Sequence, residues 1–368
     1  MQTLNRDTVL KLYKRLVALV EKLPGRLQRP IMQELVPIQE FFLEQRPPKI
    51  VILGGAKSMT APAILHYLCG SLVETGDAQN GWRTYRVGGR GSVEILDARA
   101  ETPAEIFETA IATEAADAVL FVRGDSDAAG EFEREFTLAT ERLALCDHKI
   151  RPGMVALAFG GAGARTRLDA LLHSHREFVQ RPLQVFEASP EQAGAAAEAL
   201  CGMLPNGAKL EFARMAMARG AQVEISKSLL KSFTAVCGVI GMQPIPLADL
   251  PILTTLQSLL VGLVVYVSGR RASPRLMAEF AGALGINIGA GFAFREGARA
   301  LLKVFPFWGN AVSGLVAGAG TYAIGRAAIA CFIEDLPMQE TRKLFKRLQP
   351  GLQSFKARAI PSAKDDAS

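Results

Sequence analysis

The stretch from Pro48 to Leu68 constrains the fold of this chain most strongly, because it has the pattern of a buried strand, a glycine turn and a helix. The apolar run Ile50 to Leu53, typical of a strand covered on both faces of a parallel sheet, stops at Gly54-Gly55. Pro62 suits the first turn of the following helix, where no backbone donor is needed. The pattern predicts the first strand and helix of an α/β domain.

The turn in this stretch lies where a phosphate-binding loop of the pattern G-x-x-x-x-G-K-[ST] would lie. In such a loop the glycines expose backbone amides, the lysine contacts the phosphates and the hydroxyl binds magnesium. Counted from Gly55, the deciding positions are Thr60, Ala61 and Pro62. They supply neither glycine's backbone freedom nor the charge nor the hydroxyl. The sequence therefore predicts that this loop has lost its phosphate chemistry.

An alternative keeps nucleotide chemistry in a compressed loop. Gly54 and Gly55 are followed by Lys57 and Ser58, a Lys-Ser pair, although too few residues precede it to wrap a phosphate. With Asp97 at the end of a later strand, these residues would form the GTP and magnesium site of a slow NTPase. The sequence favours the absence of a cofactor over this alternative, which remains open.

Alternating apolar runs and helical patterns continue through residue 204, which predicts a parallel sheet with helices on both faces. Residues 75–91 are polar and glycine-bearing. The pattern predicts a helix over 105–116 and four further strands, at 92–97, 118–122, 154–159 and 183–186.

Two motifs that accompany a phosphate loop in GTP-binding proteins are also incomplete. Where D-x-x-G is expected the chain reads Asp97-Ala98-Arg99-Ala100, so the aspartate is present and the glycine is absent. Such a lone aspartate is more often a cap or turn former than a metal ligand. Where the guanine-binding N-K-x-D is expected, residues 158–161 read Ala-Phe-Gly-Gly, and the weaker S-A-K signal would fall at 187–189.

Residues 30–335 resemble bacterial Era-like GTPases fused to a YcjF-like domain of unknown function. The order of the strands carries part of the resemblance. The rest lies in a set of C-terminal matches: Leu210 to Arg214 after Leu204-Pro205, Pro244 to Pro251, Gln257, Tyr266, Ser268 to Arg270, Leu301 to Pro306, Gly309 and Thr321 to Arg326.

The resemblance implies a Ras-like, doubly wound, mostly parallel sheet joined to an all-α apolar domain. A pair of helical patterns, at 7–23 and 30–44, precedes the first strand. The predicted organisation has four segments, which are an N-terminal helical arm (1–48), a degenerate GTPase-like α/β domain (49–204), a glycine-rich YcjF-like helical domain (205–335) and a basic helix with a tail (336–368).

Charge is unevenly distributed along the chain. Residues 1–49 carry 9 basic against 5 acidic residues, residues 50–204 carry 14 against 21, and residues 205–368 carry 19 against 10. Basic ends mixed with apolar runs indicate an anionic lipid surface or an acidic partner, and no nucleic-acid motif accompanies them. A plain solvated surface is the competing explanation.

Two segments of the C-terminal half, 250–269 and 304–325, contain no charged residue and approach the length that crosses a bilayer. Gly314 and Gly318 have the spacing that lets helix backbones approach closely, in a membrane or in a soluble bundle. Gln257 and Asn310 interrupt the apolar runs, which weakens the case for spanning. The composition favours membrane association without deciding between insertion and peripheral contact.

In the membrane interpretation, a set of cations lies at lipid headgroups or contacts a partner. That set comprises Arg270, Arg271, Arg326, Arg342, Lys343, Lys346 and Arg347. The last four belong to a basic amphipathic helix that begins at Pro337 and either touches anionic lipid or caps the helical bundle.

The function expected from these observations is that of a non-catalytic pseudo-GTPase. It would act as a scaffold or regulatory partner at the cytoplasmic side of a bacterial inner membrane, paired with an intact paralogous GTPase or with a second copy of itself. No spacing typical of a hydrolase triad or of a metal site occurs. Five scattered cysteines, Cys69, Cys146, Cys201, Cys237 and Cys331, are expected to be buried apolar residues.

Overall fold

The computed structural model describes residues 10, 13, 14, 16–18, 20, 21, 25–55, 59–99, 102–124, 129–146, 151–160, 163–175, 178, 180–242, 249–270, 273–285 and 309–348. The chain divides into two compact units. Residues 44–222 form one, here called the sheet unit, and residues 1–43 with 223–368 form the other, the helical unit. The four segments predicted from the sequence, with boundaries at 48, 204 and 335, remain a prediction.

The strands of the sheet unit are β1 Lys49–Gly54, β2 Val73–Gln79, β3 Trp82–Val87, β4 Gly91–Asp97, β5 Ala118–Arg123, β6 Gly153–Ala158 and β7 Leu183–Glu187. The described helices are α1 Gly25–Ile38, α2 Ala61–Cys69, α3 Ala104–Thr113, α4 Ala129–Cys146, α5 Ala164–His173, α6 Ala193–Met203, α7 Asn206–Met215, α8 Arg219–Gly241, α9 Asp249–Val267, α10 Pro274–Ala283, α11 Gly309–Phe332 and α12 Met338–Arg347.

The sheet has the strand order β2-β3-β4-β1-β5-β6-β7. Pairing is parallel from β4 through β1, β5 and β6 to β7, and antiparallel between β2, β3 and β4. The residues of β5 and β6 are almost all buried, as expected for strands covered on both faces. The prediction of an α/β fold with a mostly parallel sheet is confirmed at this level.

The polar, glycine-bearing stretch 75–91, for which the sequence predicts no strand, forms most of the β2–β3 hairpin. Asn80 and Gly81, with φ of 51° and 84°, form the turn, as in a type I′ hairpin. In β3 the side chains of Trp82, Tyr85 and Val87 are buried. The hairpin extends the sheet through β4. Because most residues of β2 are exposed and polar, the sequence does not show the alternation of apolar and polar residues that marks a strand.

Residues 209–233 have the sequence pattern of one amphipathic helix with a basic face, but the chain breaks this stretch into α7 and α8. Met217, at the break, has φ of 52°, a left-handed conformation that interrupts a helix. Glu198 then caps α8, with its carboxylate 2.6 Å from the Gly220 nitrogen and 3.0 Å from that of Ala221. A carboxylate at a helix N-terminus satisfies amides that lack an intrahelical partner.

The second helix of the N-terminal pair begins earlier than predicted, at Gly25, and continues into a π-helical turn at Gln39–Leu43. Leu35 and Phe42 are buried within the helical unit. The Phe42 ring lies 5.9 Å from that of Tyr266 in α9, so this segment is part of the core of that unit.

Helices α8 and α11 approach closely at glycines. A Cβ at Gly314 would lie 2.6 Å from the carbonyl oxygen of Gly238, and one at Gly318 would lie 3.6 Å from the Gly238 Cα. Gln257 of α9 donates a hydrogen bond of 3.1 Å to the Thr321 hydroxyl of α11. The predicted close approach of helices through the Gly314 to Gly318 spacing is confirmed.

Within the described residues, one helix segment, Gly314–Phe332, is long and apolar enough to cross a membrane by length and composition. Half of this segment is buried inside the protein. A core helix of a soluble protein can have the same length and apolar composition. The described apolar part of α9, Leu253–Val267, is shorter.

Candidate functional site at the carboxyl edge of the sheet

The order of the strands places a topological switch point at the carboxyl end of β1. From β1 the chain builds β2, β3 and β4 on one side, and β5, β6 and β7 on the other. Ligands of open α/β sheets bind in the crevice that forms at such a point. The residues after β1 and β4 therefore form the candidate ligand site.

Gly54 and Gly55 have a structural reason to be glycines. Gly54 has φ of +96°, and a Cβ there would lie 2.3 Å from the carbonyl oxygen of Val122 in β5. The Gly55 N–H donates to the same carbonyl at 2.9 Å. The glycine pair therefore serves close packing of β1 against β5, and the Gly55 amide is engaged inside the sheet.

Two backbone donors in the first turn of α2 have partners within the same turn. The Thr60 hydroxyl accepts a 3.4 Å hydrogen bond from the Ala63 N–H, and the Thr60 carbonyl accepts one of 3.0 Å from the Ile64 N–H. Pro62 has no N–H, and the Ala61 side chain is buried. Helix N-termini bind phosphate through free amides. In the first turn of α2, the N–H groups of Ala63 and Ile64 are already hydrogen-bonded and Pro62 has none.

Lys57 and Ser58, on which the slow-NTPase alternative depends together with Asp97, lie outside the described residues. Arg271 does as well, as do the matched segments 244–248 and 301–306 and the tail after 350. The other predicted site residues can be placed.

Asp97, the predicted magnesium-facing carboxylate, forms a two-point ion pair with Arg99. The Arg99 Nε lies 2.8 Å from Asp97 Oδ1, and its Nη2 lies 2.6 Å from Oδ2. The third nitrogen, Nη1, donates to the carbonyl of Met59 at 2.7 Å. The Arg99 side chain is 12% exposed and that of Asp97 38%. One guanidinium thus joins the end of β4 to the loop before α2.

A second arginine, Arg142 of α4, holds the segment after β4 from the opposite direction. Its guanidinium donates to the carbonyls of Ala98, Arg99 and Thr102 and packs over the Phe107 ring at 5.3 Å.

Burial lowers the pKa of Arg142 from its ordinary value, and the charges of Asp97 and Glu141 oppose that change. Such a guanidinium remains charged at any physiological pH. The backbone that would carry D-x-x-G is therefore fixed by charge-assisted hydrogen bonds.

The carboxyl ends of β6 and β7 are bridged by an aromatic side chain. Tyr67 of α2 donates to the carbonyl of Ser189 at 3.0 Å, and its ring lies 6.0 Å from that of Phe159. Burial, followed by the charge of Glu191, raises the pKa of Tyr67, so its hydroxyl remains a donor at neutral pH. These are the positions where N-K-x-D and S-A-K would contact a guanine.

The sequence singled out Gly54, Gly55 and Asp97 and overlooked the residues that hold them. The pairing of Arg99 with Asp97 could have been predicted, because the two opposite charges are only two residues apart. For Arg142 and Tyr67 no local signal existed, since their partners are 40 or more residues away. Among the described residues, no cluster of three or more potential metal ligands occurs.

The cations predicted to contact lipid or a partner fall into two groups in the helical unit. Arg270 pairs with Asp335 at 2.9 Å, and Arg326 pairs with Glu334 at 2.9 Å. The other group is Arg342, Lys343, Lys346 and Arg347, which lie on the exposed side of α12.

Comparison with known proteins returned no relative: no family model, no curated protein and no solved structure matches the chain.

Proposed function

We propose that this chain is a non-catalytic pseudo-GTPase that acts as a scaffold or regulatory partner at the cytoplasmic side of a bacterial inner membrane. In this proposal the sheet unit is a Ras-like domain without nucleotide chemistry. Its support is the switch point after β1, the strand-turn-helix that opens the sheet, and the engagement of the groups that would otherwise face phosphate and metal.

The ion pair of Asp97 with Arg99 is the observation that carries the proposal. A magnesium site needs a carboxylate oxygen free to bind the metal. Both oxygens of Asp97 already accept hydrogen bonds from Arg99, which also donates to Met59. Binding Mg²⁺ there would break a charge-assisted two-point contact and displace the loop before α2.

Three other features point the same way. The first-turn donors of α2 are largely accounted for, the Gly55 amide is bonded to β5, and Tyr67 bridges the strand ends that would hold a base. Each removes one part of a nucleotide site, which makes an accidental loss at one position a poor explanation.

The partner is proposed to be an intact paralogous GTPase or a second copy of this chain. This step rests on the resemblance alone, because domains of this type pair through nucleotide-facing surfaces. Light scattering of the purified protein, alone and mixed with a paralogous GTPase, would measure it. Monomer mass in both samples would contradict the pairing.

Isothermal titration calorimetry with GTP and ATP, each with and without magnesium, tests the central claim. We expect no binding heat at millimolar nucleotide. Tight, magnesium-dependent binding that the Lys57→Ala variant abolishes would overturn the proposal. It would instead support the slow NTPase that uses Lys57, Ser58 and Asp97.

A further inference from the structure

The short helix α12 has one buried side and one charged side. Thr341 and Phe345 are buried within the helical unit, and the Thr341 hydroxyl donates to the carbonyl of Leu336 at 3.2 Å. The sequence left open whether this helix caps the bundle or touches lipid. Its apolar side caps the bundle, so that side cannot insert into a bilayer.

The exposed side of α12 carries four cations, Arg342, Lys343, Lys346 and Arg347, here called the α12 basic face. Their spacing of one, four and five residues places them on one side of a helix. A position near the C-terminus of α12 also suits Lys346 and Arg347, because cations stabilise that end of a helix. That local benefit does not account for Arg342 and Lys343.

Three carboxylates of this region, Glu334, Asp335 and Glu340, already form ion pairs. Asp335 pairs with Arg270, Glu334 with Arg326, and Glu340 with Lys343 at 2.7 Å. In the part of the chain that the structure describes, Arg342, Lys346 and Arg347 form no ion pair. The α12 basic face therefore keeps a net positive charge that is available to a partner.

We infer that the α12 basic face binds the surface of an anionic lipid bilayer by electrostatic attraction, without insertion of α12. Clusters of four or more Lys and Arg on an amphipathic helix are typical of surfaces that bind anionic lipid. This inference rests on the membrane part of the proposed function and names its contact site.

Features of the same unit favour a bilayer over an acidic protein as the partner. Helix α12 packs on α11, the described helix with enough apolar residues to cross a membrane. On α11, Leu315 is 75% exposed and Tyr322 is 44% exposed. Exposed leucine and tyrosine on one helix are typical of surfaces that meet lipid headgroups.

Co-sedimentation of the full chain with vesicles tests the inference. The vesicles are phosphatidylcholine alone or with roughly 30 mol% phosphatidylglycerol. We expect binding to the anionic vesicles only, and a loss of about a hundredfold or more in the triple variant Arg342→Glu, Lys346→Glu, Arg347→Glu. Circular dichroism confirms that each variant is folded.

A matched control reverses three exposed arginines of the sheet unit, Arg83, Arg86 and Arg165, to glutamate and changes the net charge equally. We expect this control to bind as the wild type does. Equal binding to neutral vesicles, or undiminished binding by the α12 variant, would overturn the inference. Equal losses in both triple variants would do so too, since they would show a non-local charge effect.

A second variant distinguishes diffuse electrostatic contact with lipid from binding at a specific two-point site. Arg342→Lys with Arg347→Lys keeps the charge and removes the planar, two-point donors that suit a specific carboxylate or phosphate site. We expect vesicle binding to be retained and to fall steeply as salt rises. A large loss in this variant would contradict a diffuse electrostatic contact. Nucleotide titration reports on the sheet unit, so the two proposals fail separately.

Discussion

At the scale of single residues, the carboxyl edge of the sheet unit is held by side chains that satisfy each other. Arg99 spans Asp97 and Met59, and Arg142 spans the carbonyls that follow β4. Because the Asp97 carboxylate is partly exposed and screened by water, we expect the pair to contribute modestly to stability. Its main effect is to fix the position of two loops.

Replacing Arg99 with methionine tests this arrangement. The Arg99→Met variant leaves Asp97 without its ion-pair partner and the Met59 carbonyl without this donor. The free energy of unfolding, measured by urea titration, should fall by about 1–2 kcal/mol. Hydrogen exchange of the amides at 97–99 and of Met59 should become faster.

The double variant with Asp97→Asn completes a mutant cycle. The free energy of unfolding should fall by less in the double variant than the sum of the decreases in the two single variants, because both partners of the ion pair are then removed together. The matched control is Arg83→Met, an exposed arginine on β3. Additive losses, or a loss in the control as large as in Arg99→Met, would show that the ion pair is not what stabilises these loops.

The residue types at the carboxyl edge of the sheet could be compared with known motifs from the sequence alone, because each motif is a short continuous stretch. The absence of lysine and glycine at Ala61 and Thr60 is visible in the sequence itself, as is the missing glycine after Asp97. The contacts that Arg99, Arg142 and Tyr67 make at this edge depend on which strands and helices become neighbours. That information lies in the tertiary fold and leaves no trace in local spacing.

At the scale of elements, the glycines of α11 divide into those in contact and those in open space. A Cβ at Gly314 would lie 2.1 Å from Cγ of Met242 and 2.6 Å from the Gly238 carbonyl oxygen. A Cβ at Gly320 would meet nothing within 4 Å. The two positions therefore predict effects of opposite sign for the same substitution.

Gly314→Ala should lower the free energy of unfolding by about 1–3 kcal/mol, because the backbone of α8 would have to move away. Gly320→Ala serves as the matched control and should raise it by roughly 0.5–1 kcal/mol, because alanine loses less entropy in a helix. Urea titration of both variants measures the difference. A destabilised Gly320→Ala, or an unchanged Gly314→Ala, would contradict the packing.

Strands with an unbroken run of apolar residues could be predicted from the sequence, and the strands of the partly exposed hairpin could not. Strands β1, β5 and β6 are buried on both faces, so their apolar runs are unbroken. The β2–β3 hairpin exposes most of one strand, and its alternation is interrupted by an irregularity between Thr75 and Ala78. A break such as that at Met217 depends on one backbone conformation, which composition does not reveal.

At the scale of the whole molecule, the sequence predicts the α/β class because buried strands alternate with helices over 150 residues. It does not reveal that residues 1–43 group with 223–368. Apolar helical faces such as those of Leu35 and Phe42 can pack against any other apolar face, so their partner is set by the complete fold.

The thiols predict how the stability of the molecule depends on alkaline pH. All five cysteines are free, and all but Cys331 are buried. Burial raises the pKa of Cys69 from 9.0 to about 12 and that of Cys237 from 9.0 to about 11. Above pH 9 the unfolded chain loses these protons first, so the free energy of unfolding decreases as pH rises from 9 toward 12.

Urea titrations under reducing conditions between pH 8 and pH 10.5 would measure this decrease, which is on the order of 1–2 kcal/mol for Cys69 at the upper end. The Cys69→Ala variant should show a shallower pH dependence than the wild type. The half-buried Cys331→Ala is its control and should change the slope less. An identical slope in wild type and Cys69→Ala would mean that this thiol does not titrate on unfolding.

The division of the chain at Leu43 and Val223 affects how the protein is made. The apolar side chains of Leu35, Phe41 and Phe42 belong to a core completed only by residues beyond 222. The sheet unit is continuous in sequence and can fold during synthesis. The N-terminal helices therefore wait for the translation of nearly 180 residues before their own core can assemble. During that interval we expect Leu35, Phe41 and Phe42 to be exposed to chaperones or to another nascent chain.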